Sequence, residues 1–315
     1  MKQFFTPLKF IELENFDVEF LEIIPGVNIS NSSEIKNKIL SDKNTLLIGA
    51  LEAQFFKTSN VFLFFEYTDD LEIFQGETNL ESLERILFWI DDILKNLWLV
   101  KDNCVINDTS FLINSNTDSN SEASSARLQY QLTKSNGLIE DTKFSKEEII
   151  EFSKYHDFIE NHFHAKKSNS LGFMLEKNYS RIQRGILFVK QAREARNLAY
   201  KISNYCSALE TLFSTDNAEL SHKLSERIAF FLKDDFKVIE TFKTIKKAYG
   251  IRSKLTHGDT LDNKQIEILD DLSVRIDRIL RFSINKIIKN EEFLNIFESP
   301  KNVIDEYFEE LIFNK

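Results

Sequence analysis

Residues 198–212, Leu-Ala-Tyr-Lys-Ile-Ser-Asn-Tyr-Cys-Ser-Ala-Leu-Glu-Thr-Leu, decide the fold of the second half of this chain. Leu198, Ile202, Tyr205, Leu209 and Leu212 step by four and three, the spacing of one face of an α-helix. Leu220, Leu224, Ile228 and Phe231 repeat the pattern after an Asp216-Asn217 turn, whose side chains suit a helix N-cap. Ile239, Phe242, Ile245 and Tyr249 mark a third apolar stripe, interrupted at His257-Gly258. Beyond Asp262, another suitable cap, a long fourth stripe runs through Ile266, Leu269, Leu272, Ile276, Ile279 and Ile287. A helix over about 176–195 precedes these, and 303–313 suits a short last one. The only prolines are Pro7, Pro25 and Pro300, so nothing breaks a helix between Gly26 and Ser299. Short connections favour antiparallel neighbours, which predicts an all-α, up-and-down bundle over 171–290.

Working outward toward the N-terminus, the pattern changes to mixed α and β. Residues 46–48, 54–56 and 61–67 (VFLFFEY) are short and rich in aromatic or branched side chains, as strands are. Leu80, Leu83, Leu87, Ile90, Leu94 and Leu97 place a helix over about 79–97. Residues 104–113 read as a strand. Residues 114–125, nearly all Ser, Asn, Asp and Thr, read as an exposed loop, with 126–132 returning as a strand. The polar stretch 133–170 is expected to hold the domain boundary. The predicted class is α+β: an acidic mixed α/β domain over 1–165, the helical bundle over 171–290, and an acidic C-terminal helix over 291–315.

At 315 residues, with roughly 100–200 per domain, two domains are expected. Hydrophobic residues make up 42% and charged residues 29%, which excludes disorder for the chain as a whole. Two cysteines, Cys104 and Cys206, exclude a disulfide scaffold or a four-cysteine zinc site. The opening MKQFFTP lacks the apolar run and small-residue cleavage site of a signal peptide, and no stretch of about 18 apolar residues suggests a membrane span. A cytoplasmic protein with no membrane partner is therefore expected. The net charge of −10 argues against indiscriminate nucleic-acid binding. It is unevenly distributed: −12 over 1–170, +7 over 171–290 and −5 over 291–315. The basic excess suits either an anionic partner or a helical domain of mixed surface charge.

Chemistry concentrates in residues 246–259, KKAYGIRSKLTHGD. Five residues along a helix is about 500°, so Arg252 and His257 point about 140° apart. His257 precedes Gly258, the residue type favoured just past a helix end, and so falls in a last turn. Arginine offers a planar, permanently charged fork suited to phosphate, and histidine is the side chain that ordinarily exchanges protons nearest neutral pH. Together they suffice for RNA cleavage by its own 2′-hydroxyl. A base takes the hydroxyl proton, the oxygen attacks the adjacent phosphorus, and the cation stabilises the crowded phosphorane. That chemistry needs no metal or other cofactor. Lys246, Lys247 and Lys254, with Lys243, form either a solvated face or a patch that follows an RNA backbone toward Arg252.

Arg252, four intervening residues and His257 resemble the Arg-x4–6-His signature of HEPN domains, helical-bundle ribonucleases of bacterial defence and toxin systems. Tyr249-Gly-Ile-Arg252-Ser-Lys-Leu-Thr-His257-Gly258 is similar to the Apea-like branch. So are the segments Tyr205-Cys-Ser-Ala-Leu-Glu210-Thr-Leu-Phe213 and Glu219-Leu-Ser-His-Lys-Leu-Ser-Glu-Arg227-Ile-Ala-Phe-Phe-Leu232. The resemblance covers about 171–290 and leaves the first half unassigned. It implies a homodimeric endoribonuclease in which two Arg/His sets meet across a two-fold axis, one His257 acting as base and the other as acid, with both Arg252 side chains on the phosphate. Glu210 would orient Arg252 or His257, or else be a surface acid. Ser253 stands where the family often has another polar residue, and Tyr249 completes the supporting set. RNA, with tRNA one candidate, is the implied partner, and phage defence or growth arrest the implied setting. The acidic first half would then be a sensor, a regulator or an inhibitory surface answering to a trigger protein.

Other constellations are weaker. His156, His162 and His164 lie near Asp157 and Glu160, residue types that bind zinc, but no cysteine pair supports them. Cys206 sits on an apolar stripe as a small hydrophobe would. The eight glycines form no phosphate loop. Two further classes stay open: a non-catalytic HEPN adaptor binding protein or RNA, and a metal-dependent hydrolase built on the histidines.

Overall fold

In the computed structural model, which describes residues 1–68, 78–115, 121–162, 179–216 and 220–313, the N-terminal part carries a sheet and the C-terminal part is helical. The chain divides into a sheet unit, Met1–Leu132 with Ile139–Glu160, and a helical unit, Thr133–Leu138 with Asn161–Lys315. The break expected at 165 lies outside the described residues. Residues 133–138 lie with the helices, and the chain then returns to the sheet unit for 139–160.

The strands are β1 (Lys2–Lys9), β2 (Ile11–Glu14), β3 (Leu21–Ile24), β4 (Val27–Ser30), β5 (Val61–Tyr67), β6 (Ile106–Asn107), β7 (Ser110–Asn114), β8 (Glu122–Ala126) and β9 (Thr142–Ser145). Seven of them form an antiparallel sheet in the order β3-β4-β5-β1-β7-β8, with β6 also on β1, while β2 and β9 pair in parallel. Period-two alternation sends neighbouring phenylalanines to opposite faces. Phe4, Leu63, Phe65 and Leu112 join one core, which includes Leu83, Leu87 and Ile90 of α4 (Asn79–Lys95). Phe5, Phe62, Phe111 and Ile113 join the other, against Ile35, Ile39 and Phe56.

Those last three belong to α1 (Ser33–Ile39) and α3 (Ala50–Thr58), and here expectation is corrected. Residues 46–48 and 54–56 are helical, in α2 (Asp42–Ile48) and α3. A short apolar run does not distinguish strand from helix, and local signals favour helix. Ser32 and Ser41 cap α1 and α2, and Gly49, at φ +96°, turns α2 directly into α3. The apolar residues that suggest strands are partly at the surface, with Leu46 85% and Phe55 39% exposed. The strand expected over 104–113 is broken at Asp108, whose carboxylate accepts from the Thr109 N–H at 2.8 Å. The returning strand is 122–126, pairing with β7, so 122–125 are not loop and 127–132 are not strand. A polar edge strand, Glu-Ala-Ser-Ser-Ala, has no apolar period to reveal it. Residues 116–120 of that expected loop lie outside the described residues. The helix expected over 79–97 is α4, opened by a Thr78/Glu81 capping box and followed by a 3-10 turn.

After α5 (Lys146–His162), the helical unit comprises α6 (Arg181–Glu194), α7 (Leu198–Phe213), α8 (Leu220–Phe231), α9 (Val238–His257), α10 (Asn263–Glu267), α11 (Leu269–Ile288), α12 (Glu291–Glu298) and α13 (Lys301–Phe313). Helix α7 is central, packing on α6, α9 and α11, while α8 packs on α9 and α13. The fourth stripe is two helices: a capping box from Asp262 to Gln265 opens α10, and α11 restarts at Leu269. The C-terminal segment is also two helices, separated at Pro300, and Phe297 and Phe308 both reach Phe213 of α7. Residues 133–138 are pinned in the same unit: Ser273 Oγ donates to Ser135 O at 2.6 Å, and the fully buried Lys201 donates to Ala192 O at 2.7 Å and lies 3.5 Å from Thr133 O. No described helix is long and apolar enough to cross a membrane.

Candidate functional site on helices α7 and α9

Helix α9 buries Thr241, Thr244, Ile245, Ala248 and Ile251. Small side chains dominate this face, which lets α9 sit close to α7 and α8. The consequence overturns the ordinary meaning of the third stripe: Ile239 is 68% exposed, and Phe242 and Tyr249 are only half-buried. At the other end the helix stops where the sequence places it. Gly258 adopts φ +76°, and the Asp259 N–H bonds back to Lys254 O at 2.9 Å, the left-handed closure that glycine permits. His257 is the last helical residue and is exposed.

One and a half turns earlier, Arg252 reaches across to α7. Its Nη2 lies 3.1 Å from Glu210 Oε2, and its Nη1 donates to Tyr249 Oη at 3.0 Å. The guanidinium carbon also stands 5.2 Å from the centre of the Tyr249 ring. The other carboxylate oxygen of Glu210 is buried without a hydrogen bond. Burial therefore pushes the Glu210 carboxyl above its ordinary 4.5, with Arg252 pulling the other way. Burial also raises the Tyr249 hydroxyl, helped by the Glu210 charge. Cys206, one turn back on α7, is 1% exposed, and burial pushes its thiol up to about 12, which leaves it no thiolate at neutral pH.

The structure thus joins Arg252, Glu210 and Tyr249 into one cluster. Ser253 follows on α9, half-buried. His257 continues the same helix, so its side chain leaves the axis about 140° from that of Arg252. Lys243, Lys246 and Lys247 are exposed on α9, whereas the Lys254 ammonium is engaged with Gln265 Oε1 at 2.7 Å, at the start of α10.

A second cluster was not foreshadowed. His222 of α8 meets Phe242 edge-to-face at 5.4 Å, and Lys246 Nζ stands 5.7 Å from the same ring centre. The Phe242/Lys246 spacing of four residues was the available signal, since such pairs share a helix face.

The histidines proposed for zinc are dispersed. His156 is buried with Nδ1 3.4 Å from Asn96 Nδ2, His162 lies 3.2 Å from Glu298 Oε2, and His164 lies outside the described residues. Among the described residues no group of three or more His, Cys, Asp or Glu side chains is placed to hold a metal ion. Asn217 and Glu219 also lie outside the described residues. Comparison with protein-family models, curated proteins and solved structures gives no match.

Proposed function

We propose that this chain is a metal-independent endoribonuclease of the HEPN type. The observation that carries the proposal is the held guanidinium of Arg252, tied to Glu210 and Tyr249, upstream of an exposed His257 at the end of the same basic helix. Two of the five guanidinium N–H groups are engaged, and the side chain is 26% exposed, so a phosphate can take others. The HEPN resemblance implies a site in which two copies of the chain each bring an Arg252 and a His257 to one phosphate. One His257 takes the 2′-hydroxyl proton as the 2′-oxygen attacks phosphorus. The other gives a proton to the departing 5′-oxygen as the P–O5′ bond breaks. The products are a 2′,3′-cyclic phosphate and a 5′-hydroxyl. Bacterial defence or growth arrest is the setting this activity suits.

The test is incubation of the full chain with tRNA and with a mixed RNA pool in EDTA, beside a DNA control and a His257→Ala chain. Cleavage of RNA alone, in EDTA, absent from the variant and leaving cyclic-phosphate ends, is the expected result. Cutting that survives His257→Ala, or that EDTA abolishes, rejects the assignment.

The prior engagement of Arg252 by Glu210 and Tyr249 favours a second reading, a HEPN-like adaptor that binds without cutting. That reading expects no cleavage from the intact chain and no change in partner binding on Arg252→Ala.

A further inference from the structure

We propose that the outward face of α9 is a track for single-stranded RNA, with one unpaired base stacked on Phe242 beside His222 and the backbone running past Lys246 toward Arg252. The choice of RNA among polyanions rests on the ribonuclease reading; the stacking site stands on geometry of its own.

Helical steps put Phe242, Lys246, Tyr249 and Ser253 within an arc of about 60°. That arc lies opposite the buried Thr244, Ala248 and Ile251. It therefore presents two half-buried rings, Phe242 and Tyr249, with the exposed Lys246 between them and Ser253 beyond. Phe242 is a half-buried ring set T-shaped to the His222 ring at 5.4 Å, with an exposed lysine 5.7 Å from its centre. The Tyr249 ring carries the Arg252 guanidinium in the same manner at 5.2 Å. A cation beside an aromatic surface, repeated along a groove or ridge, is what binds an unpaired strand: the rings take bases and the cations take phosphates. A duplex has its bases stacked internally and offers such rings nothing but backbone.

Charge fits the same occupant. Helix α9 carries Lys243, Lys246, Lys247, Arg252 and Lys254 against the single acid Glu240. Ten residues separate Phe242 from Arg252, about 15 Å along the axis, which is up to about four stacked nucleotides.

Gly250 adds an independent indication. It lies inside α9 and is exposed, about 40° beyond Lys246 on the same side of the helix, and among the described residues no atom outside its own helix turn lies within 4 Å of where its Cβ would be. Glycine in a helix interior costs about 1 kcal/mol relative to alanine. Among the described residues no packing contact calls for it. It leaves a flat stretch of backbone between Lys246 and Ser253 where a strand can approach closely.

The experiment measures binding without consuming the ligand. Fluorescein-labelled oligouridine and a blunt RNA duplex are titrated into the full chain carrying His257→Ala, and then into the same chain with a second substitution. The single strand should bind more tightly than the duplex. Phe242→Ala should weaken the single strand by roughly 10-fold, within the 5- to 150-fold range of one lost stack, and leave the duplex unchanged. Phe242→Tyr should restore affinity and Phe242→Leu should not, which separates stacking from packing. Lys246→Glu should weaken the strand while touching no buried contact. Equal affinity for strand and duplex, no binding of the strand, or an unchanged Kd in Phe242→Ala overturns the proposal. The outcome is separable from the fate of the ribonuclease reading. A strand held through Phe242 but never cut by the unsubstituted chain removes the ribonuclease and keeps the track. Cutting at an unaltered kcat/KM in Phe242→Ala removes the track and keeps the ribonuclease.

Discussion

In the sheet unit Phe4, Phe5, Phe62, Phe65 and Phe111 are at most 4% exposed and pack ring against ring, Phe5 with Phe56 at 4.7 Å and with Phe111 at 5.1 Å. On α9, Phe242 and Tyr249 stay half-buried, with the cations Lys246 and Arg252 at 5.7 and 5.2 Å from their ring centres. The same residue class serves two ends because the two elements distribute their faces differently. Strands β1 and β5 lie inside a sheet covered on both sides, so either parity of residue meets a core. Helix α9 has one buried face, and threonine and alanine already occupy much of it. Its rings are left outside, where they are available to something else.

The sharpest way to break this contrast is to remove a ring from each place. Phe5→Ala should cost about 3–5 kcal/mol, the price of a cavity under a fully enclosed phenyl group. Phe242→Ala should cost less than about 1 kcal/mol, as for a half-buried surface residue. Urea unfolding of the two variants beside the parent chain measures both. Similar losses would mean that Phe242 belongs to the core after all.

How legible each region is in the sequence follows from this contrast. The helices of the second half are readable because Ile202, Tyr205, Leu209 and Leu212 obey both period and burial, with Leu198 partly buried at the start of the stripe. The end of α9 was readable at His257-Gly258, since only a left-handed residue closes a helix in that way. The apolar runs at 46–48 and 54–56 suggest strands only if hydrophobicity is taken for burial, whereas Leu46 and Phe55 are exposed. The contact of Glu210 with Arg252 spans 42 residues, and no local spacing specifies it beyond the placement of both on helices. The sequence left open whether Glu210 faces Arg252, His257 or solvent. The facing of Phe242 was hidden for a related reason: the period finds a stripe but not the partner, and Thr241, Thr244 and Ala248 are too weakly apolar to announce the buried side.

A smaller effect separates the partly buried Glu210 carboxylate of α7 from ordinary surface acids. The Glu210 carboxyl titrates above its ordinary 4.5 in the folded chain because burial disfavours its charge more than Arg252 favours it. The folded state then holds a proton that the unfolded state has already released, so stability falls as pH rises from 4.5 through the folded-state value. Glu210→Gln keeps the shape and cannot ionise. The difference in stability between parent and variant should therefore move in the variant's favour on going from below pH 4.5 to neutral. Thermal unfolding at the two pH values measures it. A difference that stays constant, or moves toward the parent, would mean that the Arg252 pair outweighs burial, with Glu210 serving as a conventional salt-bridge acid.

The smallest expected effect is the most direct test of whether the outer face of α9 is shaped by the chain itself or by a ligand. Gly250→Ala meets no described atom within 4 Å and stays in ordinary helical backbone, so it should raise stability by up to about 1 kcal/mol. If the glycine is there for a strand to approach, the same substitution should also weaken oligouridine binding and leave the far side of the helix unaffected. Stability that rises with no change in affinity would show the flat stretch to be unused. Stability that falls would place an unrecognised neighbour over Gly250, and the face would then belong to the fold in the way that Phe5 does.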